Sequence, residues 1–147
     1  MMSNYAHILM AIDFTKSGEQ ILAKALDIAE RNNAKLSILH VVEYTLPLDY
    51  ANDPMIINWA VNDNDTLEQA KKSLKKFSKQ HNLKNVDLNV EFGRPKQVIS
   101  QFVKDQQCDL VIIGSHGRHG ISLLLGSTAS AILHAMPCDI LTLKIEE

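Results

Sequence analysis

Two runs of the chain, Ile8 to Ile12 and Leu110 to Ile113, contain no polar or charged side chain. A strand with one face in water alternates polar and apolar residues, so an unbroken apolar run belongs to a strand covered on both faces. Each run stops abruptly, the first at Asp13 and the second at Gly114. Short doubly buried strands that alternate with helical segments call for a parallel sheet with helices on both sides.

The intervening segments supply those helices. Ser17 and Gln20 have the spacing of a capping box. Ile21, Leu22, Ala25, Ile28 and Ala29 then recur with helical period up to Asn32-Asn33. Lys35 to Val42 reads as a second strand, with His40 as a core histidine inside it. Thr66 to His81 places Leu67, Ala70, Leu74 and Phe77 on one side and Lys71, Lys72, Lys75, Lys76 and Lys79 on the other. No aromatic residues interleave with these lysines and the net charge of the chain is −2, so they read as a solvated face rather than a nucleic-acid surface. Val86 to Phe92 alternates, as in a third strand with one exposed face near a sheet edge. Gly93-Arg94-Pro95 turns the chain into a third helix, with Val98, Ile99, Phe102 and Val103 inward. A fourth strand, a glycine loop, a fourth helix to about Ala135 and a last strand from Asp139 to Ile145 follow. The expected fold is α/β: one domain over residues 1–147, built on an open five-stranded parallel sheet with right-handed crossovers.

Between the second strand and the second helix, Glu43 to Asp65 breaks the pattern. It holds Pro47, Pro54, Tyr44, Tyr50 and Trp59 with several acids, and a short helix is expected around Met55 to Val61. This segment is either a surface excursion covering a sheet edge or a lid over a ligand. A chain of 147 residues with 46% apolar residues can bury a sizeable core. The N-terminus has neither a basic region nor a long apolar one, and no run approaches the ~20 apolar residues of a membrane span. A cytoplasmic protein is expected. Cys108 and Cys138 match no CxxC spacing and are expected to be reduced and packed.

Ligands of open α/β sheets bind outside the carboxyl ends of the strands, where strand order reverses. Asp13 and the segment from Gly114 to Thr128 fall at such ends. Asp13 is either a turn or capping carboxylate, or an acceptor for a ribose hydroxyl or an adenine amine. Gly114, Gly117 and Gly120 are three residues apart, and Gly126-Ser127-Thr128 opens the next helix, where backbone N–H groups favour an anion. The loop has no lysine and is not a P-loop; its glycines are not spaced as GxGxxG. His116 and His119 have no Cys, Asp or Glu between Leu110 and Met136 to complete a metal site. Ser115 lacks a GxSxG context, and no acid–base pair stands out, so no enzymatic activity is expected.

Taken together, Asp109-Leu-Val-Ile-Ile-Gly-Ser-His-Gly-Arg-His-Gly, Leu125-Gly-Ser-Thr-Ala and Met136-Pro-Cys-Asp-Ile-Leu resemble the C-terminal signature of the universal stress protein family. Ile8-Leu-Met-Ala-Ile-Asp13, Ala34-Lys-Leu-Ser-Ile-Leu-His-Val-Val and Gly93-Arg-Pro fit the same family. The resemblance implies strand order 3-2-1-4-5 in a Rossmann-like, adenine nucleotide alpha hydrolase-like fold. It also implies a homodimer in which the last strands, Ile140 to Ile145, pair across a two-fold axis. The nucleotide-binding branch carries G-x2-G-x9-G-[ST]. Here Gly114-x2-Gly117 is followed by eight residues before Gly126-Ser127, one fewer than in that pattern.

Carried over, the resemblance implies that Asp13 bonds adenine or ribose and that Val41 meets adenine through its backbone. Gly114 and Gly117 would allow close approach, and Gly126, Ser127 and Thr128 would hold phosphates. Ala11, His116 and Arg118 complete the expected nucleotide-binding set, Arg118 as a charge partner. The ligand would be ATP or AMP, with Mg carried by the nucleotide and no dedicated metal site. The implied role is a dimeric stress-response sensor or regulator with an unidentified protein partner and no binding of nucleic acid or membrane. The alternative is the other branch of the family, which lacks nucleotide and acts through protein–protein contacts. The missing residue and the aromatic segment Tyr44–Trp59 motivate it.

Overall fold

The computed structural model describes residues 4–12, 17–42, 64–114 and 134–144. Its strands are β1 (His7–Ala11), β2 (Lys35–Val42), β3 (Val86–Phe92), β4 (Leu110–Gly114) and β5 (Asp139–Leu143). Its helices are α1 (Ser17–Asn32), α2 (Asn64–Gln80) and α3 (Pro95–Gln106). The five strands form one parallel sheet in the order β3-β2-β1-β4-β5. This is the fold class and strand order expected from the sequence. The first helix begins at Ser17, where the capping box is expected; the short helix around 55–61, the loop after Gly114 and most of the fourth helix lie outside the described residues. The last strand is shorter than expected. It is described to Leu143, level with Gly114 at the end of β4, and Ile145 lies outside the described residues.

The two faces of β1 explain its composition. Ile8 and Met10, with Ile12 just beyond, pack with Leu36, Ile38, Leu110 and Ile112 beneath Ile21, Leu22, Ala25 and Ala29 of α1 and Leu74 of α2. Leu9 packs with Leu39, Val111 and Ile113 beneath Phe102 and Val103 of α3. Each fully buried aliphatic side chain contributes about 1.5–3 kcal/mol. A polar residue at positions 8 to 10 would therefore lose that gain and add an unmet hydrogen-bonding group. At the edge strand β3, Val86, Leu88 and Val90 join the first cluster. The intervening Asp87, Asn89 and Glu91 lie on the opposite face of the pleat, which accounts for the alternation.

Asparagine ends the first two helices, and Gln107, with φ 55°, ends the third. Asn33 and Asn82 have φ of 52° and 51°, in the left-handed region. After α1, Asn33 N donates to Glu30 O and Ala34 N to Ala29 O, the paired bonds of a Schellman motif. After α2, Asn82 N donates to Lys79 O and Leu83 N to Ser78 O in the same pattern. The Asn32 side chain donates to Ile28 O at 2.8 Å and accepts from Tyr5 N at 3.1 Å, tying the end of α1 to the chain entering β1.

The amino ends of the strands are closed by polar bonds. The Asp109 carboxylate accepts from Ala6 N at 2.8 Å and from His7 N at 3.0 Å, and Tyr5 donates its hydroxyl to Asp139 at 2.9 Å. His7 is buried. Its Nδ1 faces the Gln106 carbonyl oxygen at 3.0 Å, which can only accept, so Nδ1 carries a hydrogen. Its Nε2 lies 2.7 Å from Ser37 Oγ, and Ser37 Oγ lies 3.3 Å from Asp87 Oδ2, a second acceptor for the one hydroxyl hydrogen. Asn89 also donates to Asp87, at 3.0 Å.

Cys108 and Cys138 flank this end of the sheet as free thiols. Burial pushes both up to about 11, reinforced at Cys108 by the Cys138 thiol and Asp109 and at Cys138 by Asp139 and Asp109. The neutral thiols are thus favoured by folding. Their contribution is complete below the ordinary thiol value of ~8.5 and is lost as the pH rises towards 11. At pH 8, iodoacetamide should modify the native protein at least ~100-fold more slowly than the urea-unfolded protein, because the thiolate fraction falls about tenfold per unit of pKa. Equal rates would contradict the shift.

Gly93, after β3, donates its N–H to Val42 O at 2.9 Å. Its φ is 148°, and an added Cβ would meet Val98 Cγ2 at 2.8 Å. Gly93→Ala should lower stability by about 1–3 kcal/mol in urea titration. Adding Val98→Ala should recover the part due to the clash, leaving the backbone strain.

Candidate functional site

The crossovers place α1 and α2 on one face of the sheet and α3 on the other. The sheet grows outward from β1 in both directions, through β2 to β3 and through β4 to β5. The reversal of strand order therefore falls between β1 and β4. The carboxyl ends of strands at such a reversal are where open α/β sheets bind their ligands.

Three of the residues expected at the site lie among those described, and all three are at this end. Ala11 closes β1 and pairs with Leu39, two residues before Val41 on β2. Ala11 and Val41 are half-buried and pack against the same cluster, with Leu39 and Ile113. Gly114 closes β4 and is buried. Met10 stands level with Ile112, so the residue after Ala11 comes level with Gly114. Ala11, Val41 and Gly114 thus sit on three adjacent strands, at the crest where the order reverses. Asp13, His116, Gly117, Arg118, Gly126, Ser127 and Thr128 lie outside the described residues.

The expectation of a core histidine at position 40 is corrected. His40 is half-buried, and its Nδ1 donates to the carbonyl oxygen of Ile12 at 2.8 Å. It stands near the end of β2, where the core gives way to the crest, and the carbonyl one residue beyond β1 meets its ring. The buried histidine is His7, which sequence reasoning missed. The apolar run begins after it, and a single polar residue ahead of such a run carries no periodic signal.

Ile12 N also donates to Leu39 O at 3.0 Å. Both polar groups of the Ile12 backbone are therefore held by β2, one residue past the end of β1. This arrangement offers a ligand backbone groups and small residues on rigid strand ends. Among the described residues no three His, Cys, Asp or Glu side chains come together as a metal site. A groove of about 540 Å³ on the outer side of α3 is lined by Glu91, Lys96, Gln97, Ser100, Gln101 and Lys104 with Val98 and Ala135. It is removed from the strand-order reversal. No helix among the described residues is long and apolar enough to cross a membrane.

A parallel α/β sheet of order 3-2-1-4-5, with small residues on its crest at the point of reversal, defines a Rossmann-like protein. The family model described as "Universal stress protein family" matches residues 4–144. The chain belongs to the universal stress protein family. It is 34% identical to universal stress protein A homolog 1 of Coxiella burnetii over 146 residues, which is 98% of this chain and 99% of the relative. Homolog 2 of the same organism is 35% identical over 147 residues, 99% of each chain. Among solved structures, UspA from Lactobacillus plantarum superposes with a TM-score of 0.68 at 24% identity, over 97% of this chain and 99% of the other. A universal stress protein in complex with cAMP superposes at 0.60 with 20% identity, over 96% and 98% of the chains. A family member from Arabidopsis thaliana with AMP bound superposes at 0.62 with 19% identity, over 96% and 92%.

Proposed function

We propose that this universal stress protein binds an adenine nucleotide in the crevice between β1 and β4 and acts as a dimeric regulator rather than an enzyme. The observation that carries this reading is the convergence of Ala11, Val41 and Gly114 at the carboxyl ends of three adjacent strands, where the order reverses. The ligands of the two relatives solved with AMP and cAMP support it. Small residues at the crest let a planar base approach the backbone, and the Val41 peptide offers it a donor and an acceptor. Phosphates would be held by Gly117, Gly126, Ser127 and Thr128, with Asp13 on the base or ribose. Mg would arrive with ATP.

Isothermal titration with AMP, ADP and ATP tests the reading. Saturable heat is expected, and Gly114→Val should weaken binding at least tenfold by filling the crest. No heat at millimolar nucleotide would favour the branch that acts through protein contacts alone.

The dimer reading rests on β5. Ile140, Leu141 and Leu143 are half-buried on an edge strand with no neighbour beyond it in the sheet. An apolar edge invites a further strand, and a two-fold axis through the middle of that strand brings its central residues near their own copies. Thr142 is exposed, so Thr142→Lys leaves the core untouched and sets like charges against each other across such an axis. Sedimentation velocity should show dimer for the parent and monomer for Thr142→Lys. An unchanged dimer mass in the variant would place the interface elsewhere.

A further inference from the structure

We propose that His40 is a positioning residue for the nucleotide crevice. Its ring holds the Ile12 carbonyl and thereby turns the Val41 N–H and the Ile12–Asp13 peptide over to the ligand. The inference rests on the nucleotide reading and adds to it a residue that does not itself touch the nucleotide.

The argument follows from the ladder between β1 and β2. In a parallel pair, each residue that faces its neighbour uses both its N–H and its C=O on that side. Ile12 N donates to Leu39 O, so Leu39 faces β1, and two residues on Val41 faces β1 as well. His40 and Val42 face the other way, and Val42 O accordingly accepts from Gly93 N at the end of β3. The next rung of a regular ladder would run from Val41 N–H to Ile12 O. That carbonyl instead receives His40 Nδ1 at 2.8 Å. The side chain of one residue thus occupies the acceptor that the backbone of the next would use. The ladder is stopped one rung early, and the Val41 amide is kept for a purine ring nitrogen.

The same bond fixes a second element. The Ile12 carbonyl and the Asp13 N–H belong to one planar peptide unit. With Ile12 N held by Leu39 and Ile12 O held by His40, the plane from which Asp13 departs is set from β2, beyond the formal end of β1. A single imidazole therefore holds the Ile12 carbonyl and keeps the Val41 amide on the adjacent strand from closing onto it. A carbonyl oxygen only accepts, so Nδ1 carries the hydrogen in this role, and any side chain offering an N–H at that point serves equally.

The test compares His40→Ala with His40→Asn, whose side-chain amide nitrogen sits where Nδ1 does. Far-UV circular dichroism and thermal midpoints establish that both variants fold. AMP affinity is measured by titration calorimetry. His40→Ala should bind about five- to tenfold more weakly, the scale of one hydrogen bond, and His40→Asn should stay within about twofold of the parent. Amide NMR gives a readout that needs no nucleotide. In His40→Ala the Asp13 and Val41 resonances should move and the Val41 amide should exchange more slowly, as the rung to Ile12 closes. In His40→Asn they should stay near their parent positions. Parent-like AMP binding by His40→Ala, or unmoved Asp13 and Val41 amides, overturns the inference while leaving the nucleotide reading intact. Absence of AMP binding by the parent overturns the nucleotide reading itself, and moved amides in His40→Ala would still establish the clamp.

Discussion

Burial of β1 on both faces is the constraint from which the rest of the molecule follows. A central strand has a neighbour on each side and a helical layer above and below, so none of its side chains from Ile8 to Met10 reaches water. That condition is met only if α1 and α2 cover one face and α3 the other. This in turn requires the chain to cross the sheet after β3 and to resume beside β1. The reversal of strand order is thus a by-product of covering one strand completely.

The two ends of the sheet are built differently. At the amino ends, Asp109, Tyr5, Asn32 and the His7–Ser37–Asp87 contacts close the backbone onto side chains of neighbouring elements. Polar groups there are already satisfied and have little to offer a ligand. At the carboxyl ends, glycine and alanine terminate β4 and β1, and His40 holds the Ile12 carbonyl. Chemistry that needs accessible backbone is confined to this second end, and stability is concentrated at the first.

How much of this was legible in the sequence depended on whether a property repeats. The buried runs at Ile8 and Leu110 and the alternation in β3 repeat along the chain, and they gave the layer, the order of elements and the edge. Ala11, Val41 and Gly114 were expected from the family resemblance, and the structure places them at or beside the carboxyl ends of three adjacent strands. His40 was misread because its strand is apolar on either side, and only the meeting of β2 with the carbonyl after β1 shows what its ring bonds. His7 was missed for the same reason. Its partners, Gln106, Ser37 and Cys108, come from two other segments of the chain.

Parallel pairing also decides how the molecule carries mechanical load. Consider force applied backwards at the amino end of β1 and forwards at the carboxyl end of β5. The two strands are joined through β4, with β1 and β5 running in the same direction. Such a pull slides each strand along its neighbour, so the rungs of a ladder are strained together and must fail together. Force applied across β2 and β3 at a common end would open their rungs one at a time. The sheet is therefore stiff along the line that joins its central strand to the β5 edge and compliant when peeled from β3. In an assembly built on β5, tension would pass through the stronger path.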